Sequence, residues 1–582
     1  MPGLFFLPKA AKRWPRLGWR DLIVFAGLFA LLYGIVYAAQ QMGAPFKPSE
    51  PLRISLSPTA LPAYAFRSLV RMFLAYLLSL VFALAFGRIA AYNPRAEKWI
   101  IPILDILQSV PALGFLAVSV SVFRVLFPNS LIGLELACII TIFSSQAWNL
   151  AFSFYQSLKT LPKDLNEAAT NFQFTPWQRF VTLELPFAMT GLVWNSMMSF
   201  GSAWFFLAAS ESITVLNNDY RLPGLGSYMA AAVEQENVPA VIAAIVAIII
   251  VIAMVDQVFW RPVVAWSQRF RMEDRGDEGE PTSALLDVLR GAEITDWASR
   301  RLLQPMGRHL NAGFREARRI REKRPVPSRA SAIIRWGVVL AFVIWATPTV
   351  VGGVVTAFYS LSWETLGYLV YLGFLSMLRV AAVVIIASVL WVPVGVRIGF
   401  SPRLARIAQP LVQIGASFPA NVVFSLITVI FIKLGIGLNW GSILLLLLGT
   451  QWYLLFNIIA GAVQVPMELK EAAQAFQLKG WKLWRTLILP AIFPAWVTGA
   501  LTTAGGAWNA TIVAEVVTWG NDAPEPAAGL GAYITRATQQ GNWPEIILSI
   551  SVMAAFVVLL NRWIWQPLYA LAEDRFSVSS AG

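Results

Sequence analysis

Two stretches of the chain read almost alike: LPKDLNEAATNFQFTPWQRFVTLELP over residues 161–186, and VPMELKEAAQAFQLKGWKLWRTLILP over residues 465–490. Pro162, Glu167, Ala168, Ala169, Phe172, Gln173, Trp177, Leu185 and Pro186 recur 304 residues later as Pro466, Glu471, Ala472, Ala473, Phe476, Gln477, Trp481, Leu489 and Pro490. Each stretch is polar and lies between long apolar runs. Its opening proline suits a first helical position, where the missing N–H has no partner to lose. A short helix through Glu-Ala-Ala follows. Thr175-Pro176 reads as the cap and first residue of a second short helix, ending at Leu185-Pro186. Two short helices between apolar runs make a knob. Its paired alanines permit close approach, and Glu167 or Glu471 offers a carboxylate to a basic group on a partner.

The repetition extends outward from the knobs. Arg71, Pro102 and Pro111 recur 308 residues later as Arg379, Pro410 and Pro419. Trp204 and Glu211 recur as Trp508 and Glu515, and Gly224-Leu225-Gly226 as Gly529-Leu530-Gly531. The chain is therefore two parallel repeats. Of its 582 residues 57% are hydrophobic and only 13% charged. A soluble chain is about half apolar and about a quarter charged, so an ordinary cytosolic enzyme is excluded. So is a disordered chain, which combines low hydrophobicity with high charge. The single cysteine, Cys138, and single histidine, His309, exclude a disulfide framework and a Cys/His metal cluster, and no metal site is expected. The net charge of +13 sits in blocks between apolar runs, which is membrane topology rather than nucleic-acid binding. No removable leader is expected, because no short apolar run with a small-residue cleavage site opens the chain.

About twelve spans follow from the rule that a spanning helix needs about 20 apolar residues. Six fall at 21–39, 64–91, 100–127, 131–154, 187–209 and 238–260; six more fall at 333–357, 376–398, 408–434, 440–463, 491–517 and 544–565. With the N-terminus in the cytoplasm, the inside loops carry eighteen Lys/Arg against six outside. Both termini are then cytoplasmic. The domains expected are an N-terminal arm (1–20), a first six-span domain (21–265), a linker (266–332), a second six-span domain (333–576) and a tail (577–582). The linker carries 14 Lys/Arg and is read as a cytoplasmic tether or as a regulatory docking element. Leu285, Leu289 and Trp297 are expected on one face of an amphipathic helix within it.

The doubled segment resembles the EAA loop of bacterial ABC-importer permeases, which docks into a groove on the ATPase subunit. The match holds in both repeats except where the family has glycine, here Gln173 and Gln477. Ser376 to Arg379, Trp204 with Glu211 and Gly224-Leu225-Gly226, and Trp508 with Glu515 and Gly529-Leu530-Gly531 resemble signatures of the nitrate/sulfonate/bicarbonate/taurine-type permeases. The resemblance implies an all-α polytopic membrane protein with tandem type I ABC-importer (MetI-like) permease domains in one chain. It implies ATPase coupling through Glu167, Ala168, Ala169, Gln173, Pro186, Glu471, Ala472, Ala473, Gln477 and Pro490. It further implies a bacterial inner-membrane location, two ABC ATPase subunits on the cytoplasmic side, a periplasmic solute-binding protein and a small anionic solute. ATP and Mg are expected on the partner ATPase, because the chain has no phosphate-cradling Gly-x-x-x-x-Gly-Lys-Ser/Thr loop.

Ionisable residues at membrane depth are functional candidates. Arg71 with Glu211, and Arg379 with Glu515, are expected to pair. Each glutamate ends an outward-running helix, where the macrodipole disfavours it and a cation is needed. Such pairs pin helices together or serve anion passage. Asp105, Glu135 and Asp256 lie near span ends and are expected to reach water. Asn195, Ser199, Trp204, Thr502, Trp508 and Asn509 are candidates to line a path, with helix–helix adhesion the alternative. The chain is thus read as a transport subunit, not an enzyme. The alternative is an ion-coupled secondary transporter with parallel six-span repeats, which leaves the doubled knob unexplained.

Overall fold

The computed structural model describes residues 18–43, 53–109, 111–128, 130–215, 218–270, 283–292, 297, 301, 304–323, 362–520, 522 and 524–576. Among the described residues the regular structure is helical except for a hairpin pairing Ser212–Val215 with Asn218–Arg221 and an isolated bridge between Trp519 and Asp522. The first half runs Trp19–Met42, Leu61–Tyr92, Pro94–Ser109, Gly114–Leu126, Ile132–Lys159, Lys163–Asn171, Pro176–Arg179, Leu185–Glu211, Leu225–Glu234 and Val238–Val255. The second half repeats that order from the second helix on: Trp363–Gly399, Pro402–Ser417, Asn421–Leu434, Leu438–Val463, Met467–Ala475, Gly480–Leu483, Leu489–Ala514, Leu530–Gln540 and Trp543–Leu560.

Among the described residues, eight helices are long and apolar enough to cross a membrane, or nine if one bent pair counts as a span. Twelve were expected, and the difference has identifiable causes. Residues 333–357 lie outside the described residues, as do most of the N-terminal arm and the tail 577–582. The fifth expected span forms as Leu185–Glu211, about 40 Å long. Asn195, Ser199 and Ser202 dilute its apolar run. The third and ninth expected spans, 100–127 and 408–434, are each broken into two helices. The second pair bends by 80°. Proline is the cause. Pro111 and Pro419 lack an N–H, and the residue before a proline is pushed out of the helical region. Phe418, just before Pro419, is extended at φ −71° and ψ 127°.

These breaks are where the halves meet. The backbone N–H of Ala112 donates to Asn509 Oδ1 at 2.9 Å, and Asn421 Nδ2 donates to the carbonyl of Phe205 at 3.3 Å. Phe205 and Asn509 occupy equivalent positions, so each half lays its break against the last third of the other's fifth span, toward Glu211 or Glu515. Gly201 sits so close to Ser417 that a Cβ there would lie 2.5 Å from the hydroxyl. One cluster of buried apolar side chains runs through both halves, from Met72, Leu134 and Trp204 to Leu369, Val422, Trp508 and Met553. The outer helix faces expose Leu77, Val81, Ile385 and Val389, as a lipid-facing surface requires.

In the linker, Ser283 caps a helix Ala284–Gly291 and a second helix spans Gln304–Lys323. The first ends at Gly291, so Trp297 does not share its face with Leu285 and Leu289. Linker residues 271–282 and 324–332 lie outside the described residues.

Candidate functional site

The first element of each knob is the helix Lys163–Asn171 or Met467–Ala475. Pro162 and Pro466 are the residues just before these helices, one position earlier than expected. Gln173 and Gln477 both adopt φ 50°. The hydrogen bonds explain why. The N–H of Phe174 returns to Ala169 O and that of Gln173 to Thr170 O; Leu478 and Gln477 do the same to Ala473 O and Gln474 O. This is the Schellman ending, which places one residue in the left-handed region. A side chain there costs roughly 1–2 kcal/mol, which is the reason to expect glycine. Glutamine makes the same turn in both halves. Ala169 and Ala473 are buried, while Glu167, Glu471 and the rings of Phe172 and Phe476 are exposed. Ala168 is half-buried and Ala472 exposed.

The second element differs between the halves. Thr175 accepts from the Gln178 N–H at 3.2 Å and donates its own N–H to Gln178 Oε1 at 3.0 Å, a full capping box before Pro176–Arg179. In the second half Lys479 makes no side-chain cap and Gly480 has φ 55°. Neither element ends at Leu-Pro, contrary to the sequence expectation. A π-turn, Phe180–Glu184 or Trp484–Ile488, carries the chain into the fifth span of its half. The wide turn accommodates Pro186 and Pro490, which bring no N–H to the ladder. Knob and span therefore form one helical column in each half. At the first seam Glu184 is fully buried, 2.7 Å from Arg88 Nε and 3.2 Å from Arg179 Nε. Val396, Ile488 and Leu483 occupy the equivalent positions of the second seam.

At the other end of each column, the signature residues converge on one carboxylate. Arg71 Nη1 meets Glu211 Oε1 at 2.6 Å, and Ser68 Oγ donates to the same oxygen at 2.6 Å. The Gly226 N–H donates to Glu211 Oε2 at 2.7 Å, and the Leu225 N–H to Ser68 Oγ at 3.0 Å. Glu211 ends its own helix, where the dipole opposes it, but its carboxylate caps the start of Leu225–Glu234, where the dipole favours it. Gly224 is required because a Cβ would stand 2.3 Å from that carboxylate. The second half repeats the cradle. Arg379 Nη1 lies 3.1 Å and Ser376 Oγ 2.8 Å from Glu515 Oε1, and Ala532 N–H donates to Oε2 at 3.0 Å.

Glu135 departs from the sequence reading. Far from reaching water, it is buried and holds Arg71 Nε at 2.5 Å and Nη2 at 2.7 Å. Asn439, 304 residues on, takes its place and accepts from Arg379 Nη2 at 3.0 Å. Every nitrogen of the Arg71 guanidinium thus donates to protein, Nη1 also reaching Pro223 O at 3.1 Å. The arrangement pins four elements together.

Several path candidates are engaged within the protein. Asn195 Nδ2 donates to Ser153 Oγ at 3.0 Å, and Ser199 accepts from Asn149 Nδ2 at 2.7 Å. These bonds tie the fourth expected span to the fifth. Trp204 and Trp508 are 2% and 3% exposed, in the core shared by the halves. Asn509 holds the facing break through Ala112, and Thr502 returns its hydroxyl to Thr498 O at 2.8 Å.

Residues 83–259 and 391–564 each match the family model of binding-protein-dependent transport system inner membrane components. The chain is 27% identical over 205 residues to the bicarbonate transport system permease protein of Synechococcus elongatus, covering 35% of this chain and 67% of that one. It is 24% identical over 186 residues to the nitrate import permease protein of Leptolyngbya laminosa, covering 32% and 63%. The taurine transport system permease protein of Escherichia coli is 25% identical over 186 residues, covering 32% and 64%.

Proposed function

Because the chain belongs to the family of binding-protein-dependent transport system inner membrane components, we propose that its two knobs each seat one ATPase subunit and that its two halves enclose the path of a small anion. The protein is the membrane subunit of an ABC importer, a transport component rather than an enzyme. The comparisons support this reading and not the ion-coupled alternative. ATP and Mg belong to the partner ATPase, and solute arrives from a periplasmic binding protein. The termini and linker face the cytoplasm, following the excess of inside Lys/Arg.

One observation carries the coupling role: a doubled knob, closed by the same turn at Gln173 and Gln477, runs without a break into the fifth span of its half. Displacing a knob tilts that column. The column's far part, at Phe205 or Asn509, bears on the other half's break. Rigid-body movement of the ATPases is thereby converted into movement at the contact between halves. Arg71 and Arg379 serve as helix pins in this scheme, their donors being committed to carboxylate, amide and carbonyl oxygens.

The test is a charge reversal at both knobs, Glu167→Arg with Glu471→Arg. Transport is expected to be abolished and ATPase co-purification weakened while the chain still inserts. Full transport by the double variant would overturn the reading.

A further inference from the structure

Among the described residues, the linker helix Gln304–Lys323 packs on the knob of the first half. The Phe314 ring lies parallel to that of Trp177, with centroids 6.3 Å apart and planes at 3°. One turn away on the same face, Asn311 Oδ1 accepts from the Thr175 hydroxyl at 2.8 Å. Trp177 is consequently half-buried, whereas the equivalent Trp481 is 71% exposed. The contact leaves Glu167 exposed on the neighbouring helix, so it does not cover the carboxylate face of the knob.

The element gripped by the linker is a helix of four residues, Pro176–Arg179. It is the first turn of the helical column, and helix ends fray unless their free backbone groups are held. In the first half the turn is held by its capping box and by the linker. In the second half the equivalent turn begins at a glycine with φ 55° and has no side-chain cap.

We propose that the linker helix is an intrachain brace, seated through Asn311 and Phe314 on Thr175 and Trp177, which pre-orders the first ATPase docking position and leaves the second to be ordered on binding. The proposal rests on the reading of the knobs as docking positions. Its consequence is that two identical ATPase subunits bind with unequal affinity, the first position being the stronger, because ordering a site in advance removes that part of the binding cost. The difference resides in the linker as well as in the knobs, so the linker's share can be removed without touching either knob.

The experiment uses the full-length chain in nanodiscs and its purified ATPase subunit. Glu471→Arg leaves the first position active, and Glu167→Arg leaves the second. Adding Asn311→Ala with Phe314→Ala is expected to weaken ATPase binding roughly fivefold in the Glu471→Arg chain, the order of one lost ring stack, and to leave the Glu167→Arg chain unchanged. Phe314→Tyr, which keeps the ring, is expected to retain the affinity. Equal losses in both chains, no change in the first, or tighter binding in the first would each overturn the brace. If neither charge reversal weakens ATPase binding, the docking reading itself fails and the proposal with it. A second arm isolates the contact from the ATPase. In a Cys138→Ser chain, Trp177→Cys and Phe314→Cys are expected to be joined by a short bismaleimide, whereas Trp481→Cys with Phe314→Cys is not. Absence of the first cross-link would reject the brace while leaving the docking reading intact.

Discussion

Replacing Arg71 with methionine removes the one cation from a buried group of three charges. Its guanidinium is fully buried, 2.5 and 2.7 Å from the oxygens of Glu135 and 2.6 Å from Glu211. Breaking a buried pair by deleting one partner costs about 3–5 kcal/mol, because the charge left behind has neither water nor counter-ion. Arg71→Met strands two carboxylates and belongs at the upper end, about 5 kcal/mol. Arg379→Met strands one carboxylate and the Asn439 amide and belongs nearer 3 kcal/mol. Glu135→Asn recreates the arrangement of the second half and should cost no more than about 1 kcal/mol, the scale of one ordinary hydrogen bond. Combining Arg71→Met with Glu135→Gln and Glu211→Gln should recover most of the Arg71→Met loss, since no buried charge remains. The assay is thermal and denaturant unfolding in matched micelles across singles and multiples. Losses that add across these three residues would refute the network, because residues sharing partners couple and independent ones do not.

Three other outcomes are expected. Gln173→Gly and Gln477→Gly should each stabilise their knob by about 0.5–1 kcal/mol, the left-handed strain relieved less the entropy cost of glycine, while valine at either position should destabilise it; hydrogen exchange of residues 163–180 and 467–484 reads this directly. Uptake into proteoliposomes containing binding protein and ATPase should be competed by small anions, and uptake of a cation or a neutral sugar indifferent to anions would count against the proposed cargo. Native mass spectrometry of the purified complex should show one chain with two ATPase subunits, and a peak holding two copies of the chain would contradict the fused-pair reading.

The two-fold architecture was legible because each repeat carries residues whose local chemistry is unambiguous: a proline before a short helix, a Glu-Ala-Ala turn, a Gly-Leu-Gly segment. The Arg71–Glu211 and Arg379–Glu515 contacts followed from dipole and depth alone. Glu135 was misjudged because its place near a span end suggested snorkelling, and nothing local shows that Arg71 stands opposite. Its replacement by Asn439 in the second repeat was the available signal, since an acidic residue aligned with an amide points to a shared hydrogen-bonding role. The broken third and ninth spans were also written in the sequence, at Pro111 and Pro419. Hydropathy counts alone read through both prolines. The Arg88–Glu184–Arg179 seam could not be found by matching repeats, because its counterparts are apolar and the register shows only divergence. The linker contact depends on a tertiary approach with no periodic trace.

That seam distinguishes the halves physically. In the first, the column from knob to span is latched by charge: Glu184 is fully buried between two arginines whose side chains stay 32% and 28% exposed. In the second, Val396 and Ile488 are buried in apolar contact and Leu483 packs beside them. A pair of identical chains would carry the same seam twice; a fused chain allows one latch to respond to salt and the other not, since screening acts on the partly exposed arginines and not on packed methyl groups. Converting the first seam into the second, with Arg88→Val, Arg179→Leu and Glu184→Ile together, should change stability by no more than about 1 kcal/mol or improve it, because well-packed apolar residues replace buried ion groups at little loss. Glu184→Ile alone should cost about 1–2 kcal/mol, its arginines retaining access to water. Removing both arginines while keeping Glu184 should cost about 3–5 kcal/mol, a carboxylate then being buried without a cation. Unfolding in micelles at low and high salt gives the order. A triple variant less stable than Glu184→Ile would show that the two seams are not interchangeable, and that the charges in the first do more than fill the place of Val396, Ile488 and Leu483.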